Sequence, residues 1–181
     1  MAGSLNQKLI LLILILLPNL AVQARVQGKK HGPKCLQLFA HESRVPPTNT
    51  LTVSASPSGS RKGSDEFGLI RTVSNVLREG RSNESKEIGT QVGIVVVGKD
   101  SNDVYISFTY FLNENATHQG TIALHGHILA NSTADRAFAV VGGTGEFLAV
   151  TGEDRSAYDG NPPDPANVVN VHNLTFFYPH W

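Results

Sequence analysis

The chain has 181 residues, 40% of them hydrophobic and 17% charged, with 17 glycines and 9 prolines, which suits one turn-rich globular domain and argues against a mainly disordered chain. Its 15 basic and 15 acidic residues cancel and only 7% of the residues are aromatic, so it has neither the basic excess nor the stacking surface expected of a nucleic-acid binder. The single cysteine, Cys35, excludes an internal disulfide, a CxxC redox pair and a cysteine-rich zinc site.

The first 24 residues read as a secretory signal. Lys8 precedes nine uninterrupted apolar residues, Leu9–Leu17, and Val22-Gln23-Ala24 offers small residues at a cleavage point. Nine apolar residues are too few for a membrane-spanning helix, and no later stretch is long and apolar enough to replace them, so a secreted chain without a membrane anchor is expected. Four sequons, at Asn83, Asn115, Asn131 and Asn173, agree with that route and should occupy exposed positions. Residues 25–35 are basic, contain glycine and proline, and read as a flexible arm ahead of a domain over 36–181. Cys35 is expected to be buried, because Leu36, Leu38 and Phe39 flank it.

Beyond the arm the patterning is β. Residues 54–66, 78–86 and 159–165 are polar and rich in turn formers, and are predicted loops. Residues 93–97 form a short apolar strand. The run 104–112 is β-branched and aromatic, with Ile106, Phe108 and Tyr110 on one face and Ser107 and Thr109 on the other. Alternation continues over 121–128. Residues 137–141, a Gly142-Gly143-Thr144-Gly145 turn and residues 146–150 read as a hairpin, and 168–177 as the last strand. No long stripe of 3.6-residue period appears, so little helix is expected. Many short strands between glycine turns predict a sandwich or an antiparallel barrel. A barrel of about eight strands can hold packed side chains or one small ligand.

Two segments resemble the plant dirigent family. The first is Ile106–Leu112 continuing through His118-Gln119-Gly120-Thr121-Ile122. The second is Arg136 followed by Val140-Val141-Gly142-Gly143-Thr144-Gly145-Glu146-Phe147. Phe39-Ala40-His41-Glu42, Phe67-Gly68 and Lys86-x-x-Gly89-x-x-x-Gly93 are fainter echoes in the same order, so the likeness runs over about residues 36–178. The resemblance implies an all-β fold: an eight-stranded antiparallel barrel of the dirigent and allene-oxide-cyclase type, in an apoplastic dimer or trimer. It implies a pocket for monolignol-type phenols at the barrel mouth and no cofactor or metal. Such a protein does not oxidise its substrate. It holds two phenoxy radicals of coniferyl alcohol, made by a separate oxidase such as a laccase, so that they couple into optically active lignans. Alternatives are a quinone-methide cyclising or dehydrating enzyme of the same fold, and a barrel that only binds phenols.

The chain departs from the family pattern at several positions. Glu42 stands where the family has aspartate. Ser74, Asn75 and Val76 replace an Asp-Asp-Pro segment, and Thr90 replaces an arginine. His127-Ile128-Leu129 occupies the region of a further aspartate, and one cysteine cannot form the family's disulfide. Arg136 is retained.

The resemblance makes Glu42 and Arg136 the candidate catalytic pair. A half-buried Glu42 can serve as acid or base; a solvated strand end is the competing reading. The fork of Arg136 can hold a phenolate or carboxylate; the alternative is a surface arginine paired with Asp135 or Glu146. Phe39, Phe108 and Tyr110 are candidate substrate contacts or simply core. His125 and His127 lie two apart, hence on one strand face. They are expected to line the pocket as donors or proton carriers, since two histidines without a third ligand make a poor metal site. No Gly-x-Ser-x-Gly elbow is present, so a hydrolase triad is not supported.

Overall fold

A computed structural model describes residues 32–59, 66–99, 103–129, 136–159 and 166–179. The signal segment, most of the arm and Asn131 lie outside the described residues. Nine strands run in chain order: β1 Cys35–Ser43, β2 Leu51–Ala55, β3 Ile70–Arg78, β4 Glu87–Val97, β5 Asp103–Leu112, β6 Gly120–Leu129, β7 Arg136–Gly145, β8 Thr151–Tyr158 and β9 Asn167–Phe177. Among the described residues there is no helix.

All neighbours are antiparallel, in the order β1-β9-β8-β7-β6-β5-β4-β3-β2. Three further pairs, Phe39 to His41 of β1 against Arg78 to Val76 of β3, close the sheet. The barrel therefore has eight strands, β1 and β3–β9, and β2 lies along the rest of the β3 edge, with Leu51 opposite Val73. Closure removes the exposed edges that an open sheet of this length would present.

Period-two alternation fixes the interior. On β5, Ile106 and Tyr110 are fully buried while Tyr105 and Phe111 face outward. On β9, Val168, Asn170, His172, Leu174 and Phe176 point inward. On β1, Leu36, Leu38, Ala40 and Glu42 share the inner phase, which puts Cys35 outside with Gln37. Cys35 is exposed, contrary to the expectation from its apolar neighbours, because those neighbours belong to the other face of the strand.

The glycine-rich segment also differs from the expected hairpin. Gly142 to Gly145 continue β7 and pair with Ala123 to Gly120 of β6. The reversal is made by Glu146–Ala149 instead, so residues 146–150 are turn and not strand, and the following strand is β8. The turn folds back across the sheet, and a Cβ on Gly143 would lie 2.8 Å from the Cβ of Phe147. Glycine is required there for close approach rather than for reversal. The predicted 54–66 loop begins two residues later than expected, since Ser54 and Ala55 belong to β2.

The two barrel ends differ. At one end the turn after β7 drives Phe147 into the interior, fully buried and 5.5 Å from the Phe176 ring. Ile88, Leu112, Val150 and Phe176 complete this plug. At the other end the interior is open.

Candidate functional site

The open end holds a cavity of about 240 Å³. Its apolar wall is formed by Val73, Val95, Val104, Ile106, Phe108, Ile128 and Phe138, from β3 through β7. The opposite wall is polar and comes from β1, β7, β8 and β9, carrying Glu42, Arg136, Ser156, Tyr158, Asn170 and His172. Arg71 lies on the same lining. Alternation places all of these side chains on the inner face.

Arg136, Ser156 and His172 occupy one rung of the sheet: Arg136 pairs with Ser156, and Ser156 with His172. The next rung toward the mouth carries Tyr158 opposite Asn170. Arg136 reaches across it, donating from Nη2 to Asn170 Oδ1 at 2.8 Å with its guanidinium carbon 4.0 Å from the Tyr158 ring centre. Stacking and the amide acceptor hold a fork that is half-buried, not a surface arginine. Glu42 turns inward at the rim, its side chain only 10% exposed, and accepts from Arg44 Nε at 2.6 Å.

Below the cavity lies a buried polar cluster. The Tyr110 hydroxyl donates to Asp154 Oδ2 at 3.1 Å, and His172 Nδ1 is 2.7 Å from the same oxygen and 2.8 Å from the hydroxyl. The Tyr110 and His172 rings meet edge to face, 5.3 Å apart. Burial first, and then the neighbouring Asp154 charge, hold the Tyr110 hydroxyl well above the ordinary tyrosine range. It therefore stays a donor. On the β3–β4 side, Asn75 Nδ2 donates to Gln91 Oε1 at 2.7 Å, and Thr50 Oγ1 donates to Asn75 Oδ1 at 2.6 Å.

Glu42, Arg136 and Phe108 thus converge on one cavity, and Tyr110 sits beneath it. Three other candidates do not join them. Phe39 is buried on the outer phase of β1, opposite Arg78. His125 and His127 project from the outer face of β6; His125 packs against Tyr105 and His127 meets Asp103 at 3.2 Å. The inner phase of β6 belongs to Ile122, Leu124 and Ile128, so the spacing that puts the two histidines together also keeps them out of the barrel. Of the sequons, Asn83 and Asn115 lie in exposed turns and Asn173 on the exposed face of β9. Asn83 and Asn173 accept hydrogen bonds from His41 and Gln37.

Sequence reasoning missed Asp154, Ser156, Tyr158, Asn170 and His172. A signal was present: Asn170 and His172 fall in phase with Leu174 and Phe176, and polar residues in the core phase of a strand are uncommon.

The Dirigent-like protein family model matches residues 34–171. Two relatives, both named pterocarpan synthase 1, are 25% identical (Glycyrrhiza echinata) and 26% identical (Glycine max) over 118 residues. Those matches cover 65% of this chain and 63% of each relative, so the chain spans somewhat less than two thirds of their length. In fold, the pterocarpan synthase dirigent protein PsPTS1 superposes with a TM-score of 0.69 at 21% identity, covering 81% of this chain and 96% of that one. A closed antiparallel barrel, a pocket at one end and a family match over most of the chain lead to one conclusion: the chain belongs to the dirigent family.

Proposed function

We propose that this barrel binds a phenolic substrate in its mouth and closes a ring on it through a quinone methide. The observation that carries the reading is the two-sided cavity: a flat apolar wall for an aromatic ring, facing a cluster of groups able to move protons and hold an anionic oxygen. Loss of the phenolic proton, together with a hydroxyl leaving as water from the carbon attached to the ring, gives the quinone methide. A second hydroxyl of the substrate then adds at that carbon, and its proton restores the phenol. The net change is loss of one water and formation of one ether bond. Arg136 suits the oxygen that carries the phenolate charge, and Glu42 suits proton delivery to the departing hydroxyl. Stereocontrol comes from excluding one approach geometry, and ~1.4 kcal/mol between two approaches is tenfold in product ratio. The names of the two relatives lend support to ring closure.

The family resemblance alone supports a second reading, directed coupling of two phenoxy radicals from a monolignol such as coniferyl alcohol, with an external oxidase. A cavity of about 240 Å³ lies just under the usual range of small-ligand pockets, ~300–1,000 Å³. That favours one aromatic substrate over two held together. The deciding experiment incubates the protein with a phenol bearing a benzylic hydroxyl and a second hydroxyl placed to close an ether ring, without oxidant. A parallel reaction contains coniferyl alcohol and a one-electron oxidant, and both are resolved on a chiral column. Ring-closed product in enantiomeric excess without oxidant supports the first reading. Excess only in the oxidant reaction replaces it with the second, and racemic or unchanged material in both leaves a binding barrel.

A further inference from the structure

The polar cluster under the cavity has a feature that packing alone does not require. Among the described residues, three buried side-chain atoms have no hydrogen-bond partner: Asp154 Oδ1, Ser156 Oγ and His172 Nε2. Two of the three belong to residues that line the cavity. Buried polar atoms are nearly always paired, and an orphan costs about 1–3 kcal/mol.

The proton positions follow from the contacts. Asp154 Oδ2 is approached by Tyr110 Oη at 3.1 Å and His172 Nδ1 at 2.7 Å. A lone pair on Nδ1 would face a carboxylate oxygen at that distance, so Nδ1 carries the hydrogen and donates. Tyr110 donates to the same oxygen, and its own oxygen takes a share of the Nδ1 hydrogen at 2.8 Å. With Nδ1 protonated in the neutral ring, Nε2 is left with a lone pair and no donor. A carboxylate on one ring nitrogen fixes the tautomer and the ring orientation and leaves the other nitrogen as the acceptor.

We infer that His172, oriented through Nδ1 by Asp154 and Tyr110, is a catalytic base whose Nε2 takes the phenolic proton of a substrate seated in the mouth cavity. The inference rests on the phenol-binding reading above. The step moves one proton: the substrate O–H bond breaks, the Nε2–H bond forms, and the products are a phenolate and an imidazolium. Arg136, on the same rung two strands away, is placed to hold that phenolate. The imidazolium then passes that proton, directly or by way of Glu42 at the rim, to the departing hydroxyl, which leaves as water. On ring closure the proton of the second hydroxyl returns by the same groups to the phenolate, so His172 and Glu42 end as they began. The charged and titratable groups around the cavity that holds His172 are Glu42 on β1 with Arg44 just beyond it, Arg71 on β3, Tyr110 on β5, Arg136 on β7, and Asp154 and Tyr158 on β8. Ser156, a lining residue on the neighbouring strand, carries the other orphan, a buried hydroxyl.

The test uses 4-nitrophenol, whose absorption moves into the visible when it loses its proton, with the full chain. At a pH one unit below that of half-ionisation of the free phenol, the bound probe is expected mostly as phenolate, an apparent shift of about tenfold or more in its acid constant. His172→Gln should still bind the probe but lose that shift, and Asp154→Asn should reduce it. Nitrogen-15 spectra of the unsubstituted protein supply a reading that needs no variant. His172 should be the Nδ1–H tautomer when free and gain a proton at Nε2 when 4-nitrophenol saturates the site. A ring that carries its hydrogen on Nε2, or stays neutral with phenolate bound, overturns the assignment. So does a phenolate shift that survives His172→Gln and disappears in Arg136→Lys. Failure of the parent protein to bind 4-nitrophenol overturns the phenol-binding reading itself, a result distinct from binding without proton transfer.

Discussion

The two ends of this barrel are made by the same strands and follow the same alternation, yet one is filled and the other is not. At the plugged end the inner positions of β4, β5 and β9 carry Ile88, Leu112 and Phe176, with Phe147 pressed among them from the turn after β7. At the open end the inner positions on one side carry Arg136, Ser156, Asn170 and His172, facing an apolar wall that includes Val104, Phe108 and Ile128. The alternation continues from mouth to plug, with one-residue bulges at Val141 of β7 and Ile88 of β4 shifting its phase on the way, and the chemistry of the inward set changes between the two ends. A barrel of eight strands has just enough interior for side chains to fill. Space for a ligand therefore arises where long polar chains are pinned to the wall by one another, as Arg136 is by Asn170 and Tyr158. The plug fills the barrel with packed side chains, and the mouth leaves a cavity in place of that packing.

The comparison breaks most readily at the plug. Phe147→Ala removes a fully buried ring that packs on Phe176 and should cost about 3–5 kcal/mol, read from the shift in denaturant midpoint. A loss under about 0.5 kcal/mol would show that the turn does not seal the barrel. Next comes the polar floor. Asp154→Ala strips the acceptor from two buried donors, Tyr110 and His172. It should destabilise by about 2–4 kcal/mol, since hydrogen bonds to a charged group contribute about 1.5–3 kcal/mol each and one donor can recover a new partner. Phenol binding in this variant should weaken more than in Phe147→Ala, although the stability loss is smaller, because the floor borders the cavity and the plug does not. If binding instead follows stability across the two variants, the ends are one unit and the contrast fails.

How much of this was legible in the sequence also divides along the barrel. The strands β5, β6 and β9 were readable because each alternates strongly. β8 was not: Thr151-Gly152-Glu153-Asp154-Arg155-Ser156 has almost no apolar residue in either phase, and its inner face is part of the site. The same polarity that β8 brings to the cavity wall removed its strand signature. The Gly-Gly-Thr-Gly segment misled in part: Gly145, with φ +66°, does lead into the turn, whereas Gly143 is a close-approach glycine inside β7 that looks like a turn glycine. Glu42, Phe108 and Arg136 line the cavity. His125 and His127 do not, because face assignment needs the neighbouring strands: two residues on one face share a fate, and which face turns inward is decided by Ile122, Leu124 and Ile128.

Within the mouth, Arg136→Lys sharpens the contrast. Lysine keeps the charge but loses the fork to Asn170 and the flat contact on Tyr158. Affinity for a phenolate probe should fall about tenfold, equivalent to ~1.4 kcal/mol, with stability within about 0.5 kcal/mol of the parent. An unchanged affinity by titration would remove Arg136 from the anion-holding role. Tyr110→Phe removes one of the two hydrogen bonds to the charged Asp154, about 1.5–3 kcal/mol at neutral pH. Its signature is in the pH dependence. Tyr110 has a higher pKa folded than unfolded, so its contribution is whole below the ordinary tyrosine range and is lost as pH rises above about 10, by up to ~1.4 kcal/mol per unit. Denaturation curves taken through that range should steepen downward for the parent and lose this component in Tyr110→Phe. Parallel curves for the two proteins would mean that the hydroxyl ionises as easily folded as unfolded.

The smallest expected effect discriminates best between the two faces of a single strand. His125 and His127 look outward from β6 while Ile122, Leu124 and Ile128 of the same strand look inward. The contact of His127 with Asp103 lies at the surface, both side chains being well exposed, and exposed pairs contribute about 0–1 kcal/mol. Replacing both histidines with alanine should leave phenol binding and any product handedness unchanged, and stability within about 0.5 kcal/mol. Ile128→Ala, one position further along the same strand, should enlarge the cavity wall and alter which phenols bind. If the histidine pair changed binding as Ile128→Ala does, substrate would be meeting the outside of the barrel, and the mouth would not be the site. The face of a strand, rather than its position in the chain, therefore decides whether a residue in this family member can touch substrate.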